Sequence, residues 1–178
     1  MIEVEVKVQV FLKTSEVLQR LQKLGALFIE SVEQEDIYFS HPCKDFRKSD
    51  EALRLRIEEG KAKLTYKGPK LSHLSKTRLE LEAPIEDARR VSEILEKLGF
   101  KPLPAIRKKR YHLKLSDLDI YVDEVYGLGV FIELEKTIPE GAFTDIETSL
   151  LSLINELFPP CRLERRSYLE LLLEKLHI

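Results

Sequence analysis

Charged side chains recur at every second position along several stretches of this 178-residue chain. Glu3, Glu5, Lys7 and Gln9 alternate with Ile2, Val4, Val6, Val8 and Val10. Arg54 and Arg56 alternate with Leu53, Leu55 and Ile57; Lys61, Lys63, Thr65 and Lys67 with Ala62, Leu64 and Tyr66; Arg78, Glu80 and Glu82 with Leu79 and Leu81. Lys108, Arg110 and His112 share one parity, as do Asp117, Asp119, Tyr121 and Asp123, and again Phe131, Glu133 and Glu135. Carboxylates hold hard divalent cations through oxygen. Lys and Arg neutralise phosphate, and Arg can chelate two of its oxygens. A polyanion that brings divalent cations with it, a triphosphate with Mg²⁺ or Mn²⁺, is the ligand class that satisfies both sets.

Alternation with period two is the mark of a β-strand, whose successive side chains point to opposite faces. Six or more such segments give a sheet with one wholly apolar face and one ionic face. Residues 27–39 read as a further extended segment with Gln34, Asp36 and Tyr38 on one side. His41-Pro42, Gly68-Pro69 and Pro84 end strands, Glu59-Gly60 and Tyr126–Gly129 turn the chain, and residues 70–76 form a polar loop. Two helices follow from apolar residues at helical spacing: one capped by Thr14 and ended by Gly25, with Val17, Leu18, Leu21 and Leu24; one ended by Gly99, with Ala88, Val91, Ile94, Leu95 and Leu98. Two more close the chain, over 144–157 and 164–176, divided by Pro159-Pro160. The helices suit the apolar face of the sheet.

The ionic face has two readings. It is a solvated face of an open sheet, or it curls inward as the lining of a barrel. Solvated faces usually mix in Ser, Thr, Asn and Gln, whereas here acids gather on some strands and bases on others. Buried ion pairs alone rarely offset their desolvation, several kcal/mol per ion, which is why a lining of this kind calls for a charged ligand.

Composition bounds the rest. The length fits one domain, residues 1–178. Charged residues make up 34% of the chain but the net charge is only −2, so a net-basic binder of double-stranded nucleic acid is not indicated. Cys43 and Cys161 lack metal-site spacing and read as free thiols of a reducing cytoplasm. The chain opens directly on a strand, without the pattern of a signal peptide, and no apolar run is long enough to span a membrane.

Glu3-Val4-Glu5-Val6-Lys7 resembles the E-x-E-x-K signature of the CYTH superfamily, the triphosphate tunnel metalloenzymes. The resemblance extends through Asp36-Ile37-Tyr38-Phe39, Leu53-Arg54-Leu55-Arg56, Leu64-Thr65-Tyr66-Lys67-Gly68-Pro69, Arg78-Leu79-Glu80-Leu81-Glu82, Gly127 to Glu135 and Ser167-Tyr168. It implies an α+β fold, an eight-stranded antiparallel β-barrel with helices packed outside. It implies metal binding by Glu3, Glu5, Glu133 and Glu135, with Asp123 as a further ligand, and phosphate binding by Lys7, Arg54, Arg56, Lys63, Lys67, Lys108 and Arg110. Arg78 joins the phosphate set from the same ionic face. Glu3, Glu5, Lys7, Arg54 and Arg56 form the catalytic set. Glu80 and Glu82 either bind metal or orient the bases. Within the superfamily the chain is most similar to class IV adenylyl cyclases, which implies conversion of ATP to cyclic AMP and pyrophosphate with Mg²⁺ or Mn²⁺. Relatives of the fold hydrolyse inorganic triphosphate, nucleoside triphosphates or thiamine triphosphate, so a triphosphatase is the alternative, and a non-catalytic polyphosphate binder a third. The partners implied are a nucleoside triphosphate or inorganic triphosphate, with no membrane, and a homodimer stays open. Phe39, His41 and His73 are candidate base contacts; a core ring and two solvated loop histidines are the competing reading.

Overall fold

The computed structural model describes residues 2–70, 78–138 and 143–178. Among these the chain runs β1 (Ile2–Val10), α1 (Thr14–Lys23), β2 (Leu27–Ser40), β3 (Ala52–Glu58), β4 (Lys61–Lys70), β5 (Arg78–Ile85), α2 (Ala88–Lys97), β6 (Lys101–Pro102), β7 (Ile106–Leu115), β8 (Leu118–Val125), β9 (Gly129–Ile138), α3 (Phe143–Leu157), β10 (Cys161–Leu163) and α4 (Tyr168–Leu176). The fold is α+β and its strand pairs are antiparallel. Eight strands are long, matching the eight expected. β6 and β10 have only two and three residues, too few for any periodicity to show in the sequence.

The described residues fall into two compact units, one drawn from 2–32, 108–138 and 143–166, the other from 33–70, 78–107 and 167–178. In the first unit β1 pairs with β10 and β9, β9 with β8, and β8 with β7. The apolar face of these strands supplies Val4, Val6, Val8, Val10, Leu113, Ile120, Val122, Ile132 and Leu134 to a buried core. Val17 and Leu21 of α1 and Leu150 and Ile154 of α3 pack against it. Helices thus cover the apolar face, as the alternation required.

The second unit has its own core. Phe39, Leu55 and Leu95 are buried, with Ile37, Leu53, Leu64, Ala88 and Val91 packed around them. β2 pairs with β3, β3 with β4, and β4 with β5. Leu95 brings α2 onto the apolar side of these strands. The helix stops at Gly99, whose φ of +93° is a conformation in which a Cβ would be strained.

Several boundaries differ from the sequence reading. Lys13, not Thr14, is the N-cap of α1; Thr14 instead donates its hydroxyl to Glu124 Oε2 at 3.0 Å. β4 continues through Gly68-Pro69, with an irregular register between Lys67 and Lys70, and β5 continues through Pro84, which pairs with Lys63. Proline costs a strand only the one N–H it lacks, so these positions bend a strand without ending it. The last helix starts at Tyr168, not Glu164. Residues 161–163 are drawn into β10 on β1, and Ser167 then caps the helix by accepting from the Glu170 N–H.

Candidate functional site: two ionic faces

Register brings the alternating charges of the first unit into rungs. Glu5 faces Glu135 and Lys7 faces Glu133 across β1 and β9; Tyr121 faces Glu133 and Asp119 faces Glu135 across β8 and β9; Arg110 faces Asp123 and His112 faces Tyr121 across β7 and β8. Asp123 has no exposed surface. It accepts from Lys108 Nζ at 2.7 Å, from Arg110 Nε at 2.7 Å and from Arg110 Nη2 at 2.6 Å. The same Arg110 Nη2 donates to Glu133. Burial alone would raise the pKa of Asp123, but the two cations outweigh it and hold the carboxyl well below the usual range. Glu133 is lowered in the same way, burial opposing and Arg110 prevailing. Both therefore stay ionised in spite of their burial.

Tyr121 also contacts Arg110. The guanidinium lies 4.6 Å from the Tyr121 ring centroid, a favourable cation–π distance. His112 stacks on the same ring at 4.7 Å, and its Nε2 lies 2.8 Å from Asp119 Oδ1. Lys7 donates to the Arg166 carbonyl oxygen at 2.6 Å. Arg166 in turn donates to Glu164, through Nε at 2.8 Å and Nη2 at 2.6 Å. Sequence reasoning missed Glu164 and Arg166, because they stand in an irregular segment read as helix. It also gave Tyr121 no role, since an aromatic among charges carries no signal of its own.

The second unit carries a face of different balance. Its rungs are Gln34–Glu58, Asp36–Arg56 and Tyr38–Arg54 between β2 and β3, then Arg56–Lys63 and Arg54–Thr65 toward β4, and Thr65–Glu82 and Lys67–Glu80 toward β5. Asp36 takes a two-pronged bond from Arg56, Nε at 2.6 Å and Nη2 at 2.7 Å. Lys63 donates to Glu82 at 2.8 Å and Lys67 to Glu80 at 2.7 Å. Glu80 and Glu82 thus each accept from a base of the same face. The hydrogen bond from Lys63, against opposing burial, holds Glu82 below the normal carboxylate range. Arg54 stands apart. It is 9% exposed, its Nη1 is 4.0 Å from Asp36 Oδ2, and its Nε is buried with no hydrogen-bond partner. The Tyr38 hydroxyl beside it is raised by burial and by Asp36, against the pull of Arg54 and Arg56, and so stays neutral.

The candidates thus gather in two sets. Glu5, Lys7, Lys108, Arg110, Asp123, Glu133 and Glu135 share the first unit, and Arg54, Arg56, Lys63 and Lys67 the second. The side chains of Glu3 and Arg78, and all of His73, lie outside the described residues. Phe39 is a core ring, and His41 packs against Phe46 and Phe100 at centroid distances of 5.4 and 5.1 Å, so both have structural work. Among the described residues no three His, Cys, Asp or Glu side chains converge as a formed metal cage. The donor chemistry nevertheless fits a hard cation. Glu5 and Glu135 face each other across a rung, and carboxylate oxygens are the donors that hard divalent cations prefer.

Among the described residues no helix is long and apolar enough to cross a membrane. A CYTH domain profile matches residues 1–168. A Methanocaldococcus jannaschii protein named "Putative adenylate cyclase" is 46% identical over 173 residues, which cover 96% of this chain and 98% of that one. The structure of the PH1819 protein of Pyrococcus horikoshii OT3 matches with a TM-score of 0.81 at 42% identity, covering 97% of this chain and 99% of the other. A similarly named Hippeastrum protein, described as having a dominant triphosphatase activity, shares the fold at 22% identity, with a TM-score of 0.68 and coverage of 98% and 96%. With a profile that runs across both units and relatives of this identity, the chain belongs to the CYTH domain family.

Proposed function

We propose that the chain is a divalent-metal-dependent enzyme acting on a triphosphate, of the adenylyl cyclase type, taking ATP to cyclic AMP and pyrophosphate. The observation that carries the triphosphate reading is Arg54: a buried guanidinium whose Nε lacks an acceptor, on a face shared with Arg56, Lys63 and Lys67. A buried charged donor left unsatisfied costs more than the roughly 1–3 kcal/mol of a neutral one. A phosphate oxygen supplies the missing acceptor, and Arg56, Lys63 and Lys67 are held ready by Asp36, Glu82 and Glu80.

Glu5, Glu133 and Glu135, with Glu3, are the proposed metal ligands. Asp123 gives its oxygens to Lys108 and Arg110 and serves to hold those cations toward phosphate. A bound Mg²⁺ or Mn²⁺ would neutralise phosphate charge and fix phosphate geometry. Lys7, kept in place by the Arg166 carbonyl, is a further cation for phosphate. In the cyclase reaction the ribose 3′ oxygen forms a bond to the α-phosphorus and pyrophosphate leaves. In a hydrolase a water attacks the γ-phosphorus with the same cations in use. The hydrolytic reading is supported by one observation: Phe39 and His41, the described candidates for base contact, are engaged in packing. A screen of ATP, inorganic triphosphate and thiamine triphosphate with Mg²⁺ and Mn²⁺, reading products, tests the proposal. Cyclic AMP with pyrophosphate supports the cyclase; orthophosphate release supports the triphosphatase; no turnover of any triphosphate with either metal overturns both.

A further inference from the structure

Gln34 lies on the ionic face of β2 and is buried. Its Nε2 donates to Glu58 Oε2 at 2.5 Å, across the Gln34–Glu58 rung. A carboxylate can only accept, so the NH₂ end of the amide faces Glu58 and the carbonyl end is left over. That carbonyl oxygen, Oε1, is buried with no hydrogen-bond partner. The adjoining rung of the same face is Asp36–Arg56, continued to Lys63. At about 3.3 Å per residue, rungs of like facing lie roughly 7 Å apart, about the span of one sugar ring. A buried acceptor therefore sits one ring's length beyond the proposed phosphate-binding cations, on the same face, and lacks a donor.

We infer that Gln34, oriented by Glu58, is a specificity-determining residue: its Oε1 accepts a hydrogen bond from an O–H or N–H on the non-phosphate end of a triphosphate ester. Inorganic triphosphate bound with its metal offers only acceptors, whereas a nucleoside triphosphate offers sugar hydroxyls and an exocyclic amine. This rests on the triphosphate reading above and adds to it, because it makes the face selective for an ester over the bare polyphosphate. The acceptor also explains how an organic end can be read with Phe39 and His41 committed to packing.

The test is equilibrium competition binding at fixed Mg²⁺ and salt. The probes are ATP, 2′-deoxyATP, 3′-deoxyATP, purine riboside triphosphate, which lacks the amine, and inorganic triphosphate. On the wild-type protein one analogue should bind about tenfold more weakly than ATP, the effect of one hydrogen bond, and which one it is tells hydroxyl from amine. In Gln34→Leu the ratio of ATP to triphosphate affinity should fall about tenfold, and the sensitive analogue should then bind as ATP does. Analogues that all bind the wild type within twofold of ATP overturn the inference while leaving the triphosphate reading in place, and need no variant to fold. An affinity ratio in folded Gln34→Leu within twofold of the wild type overturns it as well. If inorganic triphosphate fails to bind the wild type, the triphosphate reading falls and this inference with it.

Discussion

In the first unit Asp123 is fully buried and three donor bonds from Lys108 and Arg110 converge on its two oxygens. In the second unit Arg54 is almost as buried, and its Nε has no acceptor. Both positions arise from the same alternation of charged and apolar residues. On the first face the acids Glu5, Asp119, Asp123, Glu133 and Glu135 stand against Lys7, Lys108, Arg110 and Lys114; on the second, Arg54, Arg56, Lys61, Lys63 and Lys67 stand against Asp36, Glu58, Glu80 and Glu82. An excess of carboxylate suits cations and an excess of base suits anions. The difference teaches that burial of charge has two outcomes. Where the pairing is complete it fixes structure; where one partner is missing it leaves a place for a ligand.

The sharpest way to break this comparison is to remove the central acid of the first face. Asp123→Ala leaves Lys108 and Arg110 without the carboxylate that compensates them. Removing one partner of a buried ion pair typically costs about 3–5 kcal/mol, so denaturant unfolding should show a loss of that order. A loss below about 1 kcal/mol would mean that water or Glu133 takes over, and that the pairing is less complete than the hydrogen bonds imply.

Next comes the chemistry assigned to the acid-rich face. Glu5→Ala, Glu133→Ala and Glu135→Ala should each lower metal-dependent turnover by about 10²–10³-fold, the usual effect of deleting one electrostatic group aimed at a reaction. Excess chelator should abolish activity, and added Mg²⁺ or Mn²⁺ should restore it. Full activity in chelator would remove the metal role from these residues.

Arg54 gives the contrasting result. Charge-assisted bonds contribute about 1.5–3 kcal/mol each, so Arg54→Met should weaken ATP and inorganic triphosphate alike, by about 10- to 150-fold. Stability should hold or rise, because an apolar chain of similar length replaces a buried guanidinium whose Nε lacks an acceptor and whose nearest carboxylate contact is long, 4.0 Å to Asp36. Binding and unfolding measured on the one variant test both halves. A variant that loses stability and keeps its affinity would reverse the assignment of the two faces.

Much of this was legible in the sequence, for a physical reason. Parity in a strand is strict, so Glu5, Lys7, Arg54, Arg56, Lys63, Glu133 and Glu135 could be assigned to ionic faces, and Val4, Val6, Leu55 and Ile132 to cores, before any coordinates. The glycines that end α1 and α2 were equally plain, since both need positive φ. Partner choice was not legible. Alternation says which side Glu80 and Glu82 occupy, but only register shows that they meet Lys67 and Lys63. Pro84 misled because a proline ends a strand only where its missing N–H is needed. Gln34 was seen on its face and given no role, since one amide among many charges becomes informative only when its unpaired oxygen is known to be buried.

The smallest effect concerns the prop behind Lys7. Glu164 accepts from the Arg166 side chain and backbone N–H, and these bonds, with burial opposing, lower its pKa from 4.5 to about 2. A carboxyl whose pKa is lower in the folded protein binds fewer protons there than in the unfolded chain. Its contribution is therefore complete above about pH 4.5 and fades as the pH falls toward 2. The Arg166 side chain is 36% exposed, and solvent screening keeps such pairs to about 1 kcal/mol or less. Glu164→Gln should therefore reduce stability by about that much at pH 7 and flatten the stability profile between pH 4.5 and 2. Arg166 also offers its carbonyl to Lys7, so the same variant should weaken inorganic triphosphate slightly, by less than Arg54→Met does. Urea unfolding at stepped pH, with triphosphate binding at pH 7, measures both. A variant with the wild-type acid profile would show that Glu164 is not held in its pair, and a triphosphate affinity that falls as far as in Arg54→Met would show that Lys7 depends on this prop far more than one carbonyl contact implies.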